Sequence, residues 1–407
     1  MSELETLLQD SLSRSAGRAP AAPHDLLQRV DAAARRRRRR GTAAAGAAAA
    51  AAVVAVVAVT MTGFLVTSSL TPARPAEPAA PATASGDPRP LRKVWPQAVH
   101  TLPRTLPDGR PYQVERFLDR DTLLVRTTKD GNADRADGLW SYNVKSGALT
   151  RLVAVQPPKG TVVSWPFTAA GEGRLVWWTL RKDGARRVTD IWAAPVKGGA
   201  QRRVTSFESA PGRGEIGHFA VAEGKVVWSL GGDGGLYEAP LSGGAPRRIG
   251  GTEGLHLLRW PWAAAFQYPR TKKQPEPPFG ELVNVLTGER RAAPAAGQDR
   301  PVNCGITWCV AGERALTRDG SRERLLGGHA WDVPAMDRFV LATTVEDGRF
   351  QHTQLYDLAT GRSGDLGIRA EAEGGSASPD LDRRAPGVFA YELDGRLTVV
   401  DLTIASR

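Results

Sequence analysis

The run CGITWC holds the chain's two cysteines, Cys304 and Cys309. Five residues of straight strand would set their Cα atoms ~16 Å apart, against the ~4.4–6.8 Å that a disulfide accepts. A bridge therefore requires the chain to turn at Gly305, and two buried thiols are the other reading. Two thiols without a Cys or His cluster of ligand spacing do not make a zinc site. The six histidines (His24, His100, His218, His256, His329 and His352) include no H-E-x-x-H pair, and no G-x-S-x-G elbow occurs, so a fused α/β-hydrolase is excluded. No cofactor is expected. The eleven tryptophans supply the residue type that dominates binding hot spots.

Charge is placed unevenly along the chain. The net charge is +11, and residues 35–40 are six consecutive arginines. No recognisable nucleic-acid-binding module accompanies them, so nucleic acid is not an expected partner. Ala43 to Val66 carries no charge and at ~1.5 Å per residue is long enough for a ~30 Å hydrocarbon core. With the arginines on its N-terminal side, the pattern predicts a single-pass cell-membrane protein with its N-terminus cytoplasmic and its C-terminal domain extracytoplasmic. A cleaved signal peptide is the rival reading. The expected divisions are a cytoplasmic tail at 1–41, a transmembrane helix at 42–67, a Pro/Ala-rich linker at 68–91 and an extracytoplasmic domain at 92–407. The tail offers two short amphipathic segments, Leu4 to Leu12 and Asp25 to Ala34, which suit a cytoplasmic protein partner or the membrane surface; a disordered tail is the other reading.

From Val94 onward short β-type runs alternate with Gly, Asp-Gly and Pro signals. One unit recurs: LWSYNVKSGALTRLV at 139–153, IWAAPVKGGAQRRVT at 191–205 and LYEAPLSGGAPRRIG at 236–250, with weaker copies at 281–293, 314–327 and 354–367 and a last one reaching the chain end. Its turn positions fall at Gly147, Gly199, Gly244, Gly288, Gly320, Gly361 and Ala405. A repeat of this length with four strands predicts an all-β propeller of seven blades, or of six if the short repeat around Gly320 is a distorted half-blade. The last repeat lacks its outer strand, and Arg92 to Leu102 is expected to supply it and close the ring. Asp130-Gly131, Asp183-Gly184, Asp347-Gly348 and Asp394-Gly395 are expected as hairpin turns.

The pattern D-I-W-x-x-P-x-x-G-G-x-x-R-R-V-T at Asp190 to Thr205 resembles the WD-repeat-like units of TolB-type and peptidase-associated propellers, over roughly residues 92–405. The layout also looks like propeller-bearing membrane proteins of actinobacteria, some of which act beside extracytoplasmic-function sigma factors. The first resemblance implies a fold and no particular function.

On such a ring, Trp165, Trp260, Trp262 and Trp331 are expected near the starts of innermost strands, where with Asp332 they would form an aromatic recognition rim. Packing between blades is the competing role. The loop 268–279, with Arg270, Lys272 and Lys273, is expected on the same face as a stiff basic protrusion. Propeller lactonases hold a cation at the channel mouth, and Asp332, Asn303, His218 and His256 are the residues that would converge on one here. The preferred expectation is a signalling or sensing module that is not an enzyme and binds an extracytoplasmic protein or envelope ligand. The alternatives are a transmembrane regulator acting through residues 1–34, anti-sigma-like though without the zinc-binding pattern, and a propeller enzyme with that cation site.

Overall fold

The computed structural model describes residues 89–129, 132, 135–163, 168–209, 216–232, 234–265, 280–293, 303–369 and 387–406. The expected tail, membrane segment and most of the linker lie outside them, as do Trp165, Arg270, Lys272 and Lys273.

A single helical turn, α1 (Leu91–Val94), and strand β1 (Val99–Leu102) open the described chain. The first sheet follows as a meander of β2 (Tyr112–Phe117), β3 (Thr122–Thr128), β4 (Ala136–Asn143) and β5 (Leu149–Ala154). The second comprises β6 (Thr161–Val163), β7 (Ala169–Gly171), β8 (Arg174–Asp183), β9 (Arg186–Pro195) and β10 (Arg202–Ser209). In it β6 and β7 pair with opposite ends of β8. The third is β11 (Ile216–Ala222), β12 (Lys225–Leu230), β13 (Leu236–Pro240) and β14 (Arg247–Arg248). The fourth is β15 (Leu255–Arg259), β16 (Trp262–Ala265), β17 (Leu282–Asn284) and β18 (Arg290–Arg291).

The fifth sheet has six strands: β19 (Asn303–Cys304), β20 (Trp308–Thr317), β21 (Glu323–Ala330), β22 (Phe339–Glu346), β23 (Arg349–Asp357) and β24 (Ser363–Arg369). The sixth joins β25 (Val388–Leu393) and β26 (Arg396–Asp401) to β1, and a four-residue helix α2 (Leu402–Ala405) follows.

This is an all-β propeller whose described strands hydrogen-bond into six sheets where seven blades were expected. The short repeat around Gly320 forms the meander β19–β21, which a single residue pair joins to the meander β22–β24. That pair is His329 of β21 with Thr343 of β22. The two helices have four residues each. Among the described residues no helix is long and apolar enough to cross a membrane, and the span expected at 42–67 lies outside them.

The repeat has a physical cause. Asn143, Asn284 and Asp357 each end the penultimate strand of their sheet, and each side chain accepts backbone N–H bonds from residues two or three positions on. Four positions on, Gly147, Gly288 and Gly361 donate back to the same residue's carbonyl at 2.7–2.8 Å, with φ of +72° to +78°. Such an Asx turn needs a short polar side chain first and a residue tolerant of positive φ last. The A-P-x-x-G-G copies use the turn to join sheets instead. Gly199 N–H donates to the Leu152 carbonyl of β5 at 3.0 Å, and Gly244 N–H to that of Val204 in β10 at 3.1 Å. Arg202 and Arg324 likewise donate to carbonyls at residues 241–242 and 358–359.

The ring closes where expected, by a shorter strand. Val99 to Leu102 pair antiparallel with Val400 to Leu397. The preceding residues coil into α1, and Leu91, Val94 and Trp95 are buried with Phe339, Phe389 and Val400. Arg89 and Pro90 lie along β24, whose Asp365 N–H donates to the Arg89 carbonyl at 2.7 Å.

Candidate functional site

The expected aromatic rim is only partly assembled. Trp260 lies in the turn between β15 and β16, and the expected basic loop at 268–279 lies outside the described residues. Trp262 is 9% exposed in a cluster with Ile306 and Val333, and the Arg291 guanidinium covers its ring at 4.2 Å. Both residues pack between sheets. The misplacement arises because LHLLR, which forms β15, lacks the alternation that marks a half-buried strand.

Trp331 behaves differently: it follows β21 and is 56% exposed. Its indole stacks on the His329 imidazole at 5.4 Å and 15°. His329 Nε2 lies 3.1 Å from Glu313 Oε1, and the Asn303 side-chain amide donates to the Trp331 carbonyl. An exposed indole costs free energy in water unless something covers it, and here one face is propped while the other is presented. Asp332, also exposed, adjoins it. Sequence reading put Trp331 and Asn303 near a rim but missed Glu313 and His329, which no motif marks.

Among the described residues no three His, Cys, Asp or Glu groups are placed to hold a metal. Burial lowers the pKa of His256, and its bond to the Leu230 backbone opposes the shift only in part.

The two cysteines are bonded across the β19–β20 hairpin with Cα atoms 3.9 Å apart, and the chain turns at residues 305–307. Both are fully buried. Arg318, itself buried, donates to the carbonyls of Gly305 at 2.8 Å and Gly280 at 2.7 Å, tying this turn to the fourth sheet.

The described carboxyl with the character of a general acid is Glu115 on β2, whose pKa burial raises against the opposing pull of Arg126. Its oxygens accept from Arg126 Nε at 2.7 Å and Thr168 Oγ1 at 3.1 Å, which binds the first sheet to the residue before β7. This arrangement holds sheets together and leaves neither oxygen unoccupied.

No protein-family model matches the chain, and comparison with curated proteins returns no match. Solved structures do match. An oligogalacturonate lyase from Vibrio parahaemolyticus aligns over 76% of this chain and 92% of its own, at 10% identity and a TM-score of 0.41. A protein from Listeria monocytogenes, described as uncharacterized, aligns over 72% and 92% at 9% identity and 0.38. An acylaminoacyl peptidase from Pyrococcus horikoshii aligns over 73% of this chain but 49% of its own, at 14% and 0.40. These likenesses concern the fold alone. They do correct one expectation: enzymes are among the proteins that share this fold, so the reading of the chain as not an enzyme is withdrawn.

Proposed function

We propose that the propeller is a ligand-binding module that works in an oxidising, extracytoplasmic compartment and recognises an extracytoplasmic protein or envelope ligand at the rim around Trp331. The observation that carries this reading is the Trp331 indole, exposed on one face and propped by His329 on the other. The Cys304–Cys309 bond supports the compartment, since such bonds persist where the environment is oxidising.

The test is crosslinking of the full chain in intact cells, followed by identification of the adducts. A central Trp contributes ~2 kcal/mol or more, about thirtyfold in affinity, so Trp331→Ala is expected to abolish adducts that the natural chain gives. Trp331→Phe should retain part of them. Identical adducts from the alanine variant would sink the proposal.

A further inference from the structure

Ring closure rests on β1, and β1 carries a titratable side chain in a place that suits its neutral form. His100 pairs with Val399 of β26, and its imidazole lies against Phe117 at the end of β2, with ring centroids 5.6 Å apart. The side chain therefore sits at the junction between the sixth sheet and the first. Its Nε2 is shielded from solvent and, among the described residues, has no hydrogen-bond partner. A neutral imidazole with its proton on Nδ1 leaves that nitrogen as a bare lone pair. Protonation would turn it into an N–H donor with nothing to accept it, and would set a charge away from water. The Phe117 ring would attract the cation only weakly, since the two planes are tilted by 43°.

Two carboxylates and two cations surround the ring. Asp401, at the end of β26, favours the imidazolium, but its Oδ1 already accepts from the Thr403 N–H at 2.8 Å, Thr403 Oγ1 at 2.6 Å and the Ile404 N–H at 3.2 Å. Asp121, in the β2–β3 turn, also favours it and is bound by Lys145 of the β4–β5 turn at 2.8 Å. Lys145 opposes it, as does Arg92 of α1, whose guanidinium donates to the hydroxyl of Thr101 on β1. With the charges balanced in this way burial decides, and it holds the His100 pKa below the ordinary 6.5.

We infer that His100 makes closure of the ring acid-sensitive: protonation of its imidazole weakens the seating of β1 on β26 and on the first sheet. Because the closed form has the lower pKa, an open β1 binds the proton more tightly. Closure is at full strength above pH 6.5, and it weakens as pH falls through that value towards the folded one. This seam is distinct from the Trp331 rim, and nothing in the inference depends on what that rim binds.

The test is hydrogen–deuterium exchange of the full chain at pH 7.5 and pH 5, read as protection factors so that the intrinsic pH dependence of exchange cancels. Amides of residues 99–102 in the natural chain are expected to lose protection by about threefold or more. The ceiling is about thirtyfold, the ratio of charged to neutral form for an ordinary imidazole at pH 5. Amides of β8 and β9 should keep their protection, and return to pH 7.5 should restore the seam. His100→Phe keeps an aromatic ring against Phe117 without the titration and should remove the acid effect. His100→Leu repeats the comparison should the larger ring disturb packing. Unchanged protection of residues 99–102 in the natural chain at pH 5 would overturn the inference whatever the variants do. An acid effect of equal size in a folded His100→Phe chain would also overturn it, by assigning the titration to a carboxylate such as Asp401. Protection lost equally over all strands would do the same, since acid would then act on the whole domain and not on its seam.

Discussion

Asp357 shows how much one side chain carries in this ring. It is 1% exposed and accepts from Arg338 Nε and Nη2 at 2.6 and 2.7 Å, from Thr360 Oγ1 at 2.6 Å and from the Ala359 N–H at 3.0 Å. Arg338 in turn donates to the Ser406 carbonyl, so the pair links the fifth sheet to α2. Burial works to raise the Asp357 carboxyl, but the bonds from Arg338 and Thr360 outweigh it and hold the pKa below the ordinary value of 3.8. Asp357→Ala leaves the half-buried Arg338 guanidinium without its carboxylate and removes the acceptor of the turn, and the expected loss is about 1–3 kcal/mol in a urea titration. Asp357→Asn keeps the turn acceptor and should lose less. Since the folded-state pKa is the lower one, the contribution is fully present above the unfolded value and disappears as pH falls through the folded one. The stability difference between natural chain and variant should therefore narrow below about pH 4, and a constant difference down to pH 2 would contradict the assignment.

At the scale of elements, what was legible in the sequence was what local chemistry dictates. The Asx turns ending at Gly147, Gly288 and Gly361 give the period because each needs the same two residue types four apart. Asp347-Gly348 and Asp394-Gly395 have positive φ at both positions, as two-residue hairpins require. The inner strands were harder to read, since a strand such as β15 is buried by its neighbours and shows no period of its own. Residues far apart in sequence, such as Glu313 and His329, come together only through pairing that no local rule contains. The CGITWC hairpin lies between these cases: its spacing posed the question and Gly305 offered the turn. Gly305 has no room for a Cβ, which would sit 2.5 Å from an Asp337 carboxylate oxygen that accepts the Thr307 N–H at 2.7 Å. Loop-closure entropy for so short a loop assigns the bond about 2 kcal/mol, so the double variant Cys304→Ala, Cys309→Ala should lose that amount in denaturant. Reduction of the natural chain while folded should be slow, because both sulfurs are buried; rapid labelling of free thiols without unfolding would contradict this.

Over the whole molecule, seven turn positions stand against six hydrogen-bonded sheets because a turn marks a repeat, and two repeats share the fifth sheet. Strand β21 serves two repeats, and nothing in ERLLGGHA announces that. Ring closure was legible for the opposite reason, since a repeat lacking its outer strand at the chain end demands one from upstream. That closure carries energetic weight. Leu91, Val94, Trp95, Val99 and Leu102 are all buried, and at ~1.5–3 kcal/mol each their burial amounts to on the order of 10 kcal/mol. This matches the ~5–15 kcal/mol net stability of an ordinary domain. A chain truncated to begin at Thr105 would leave β26 unpaired along one edge and expose Phe339, Phe389 and Val400. It is expected to lose its cooperative melt and to associate through the open edge, as light scattering after gel filtration would report. Adding the 89–104 peptide in trans should restore a monomer if the strand acts through pairing alone. A truncated chain that stays monomeric with the natural melting temperature would show that the ring is held by its other five sheets, and that β1 merely covers it.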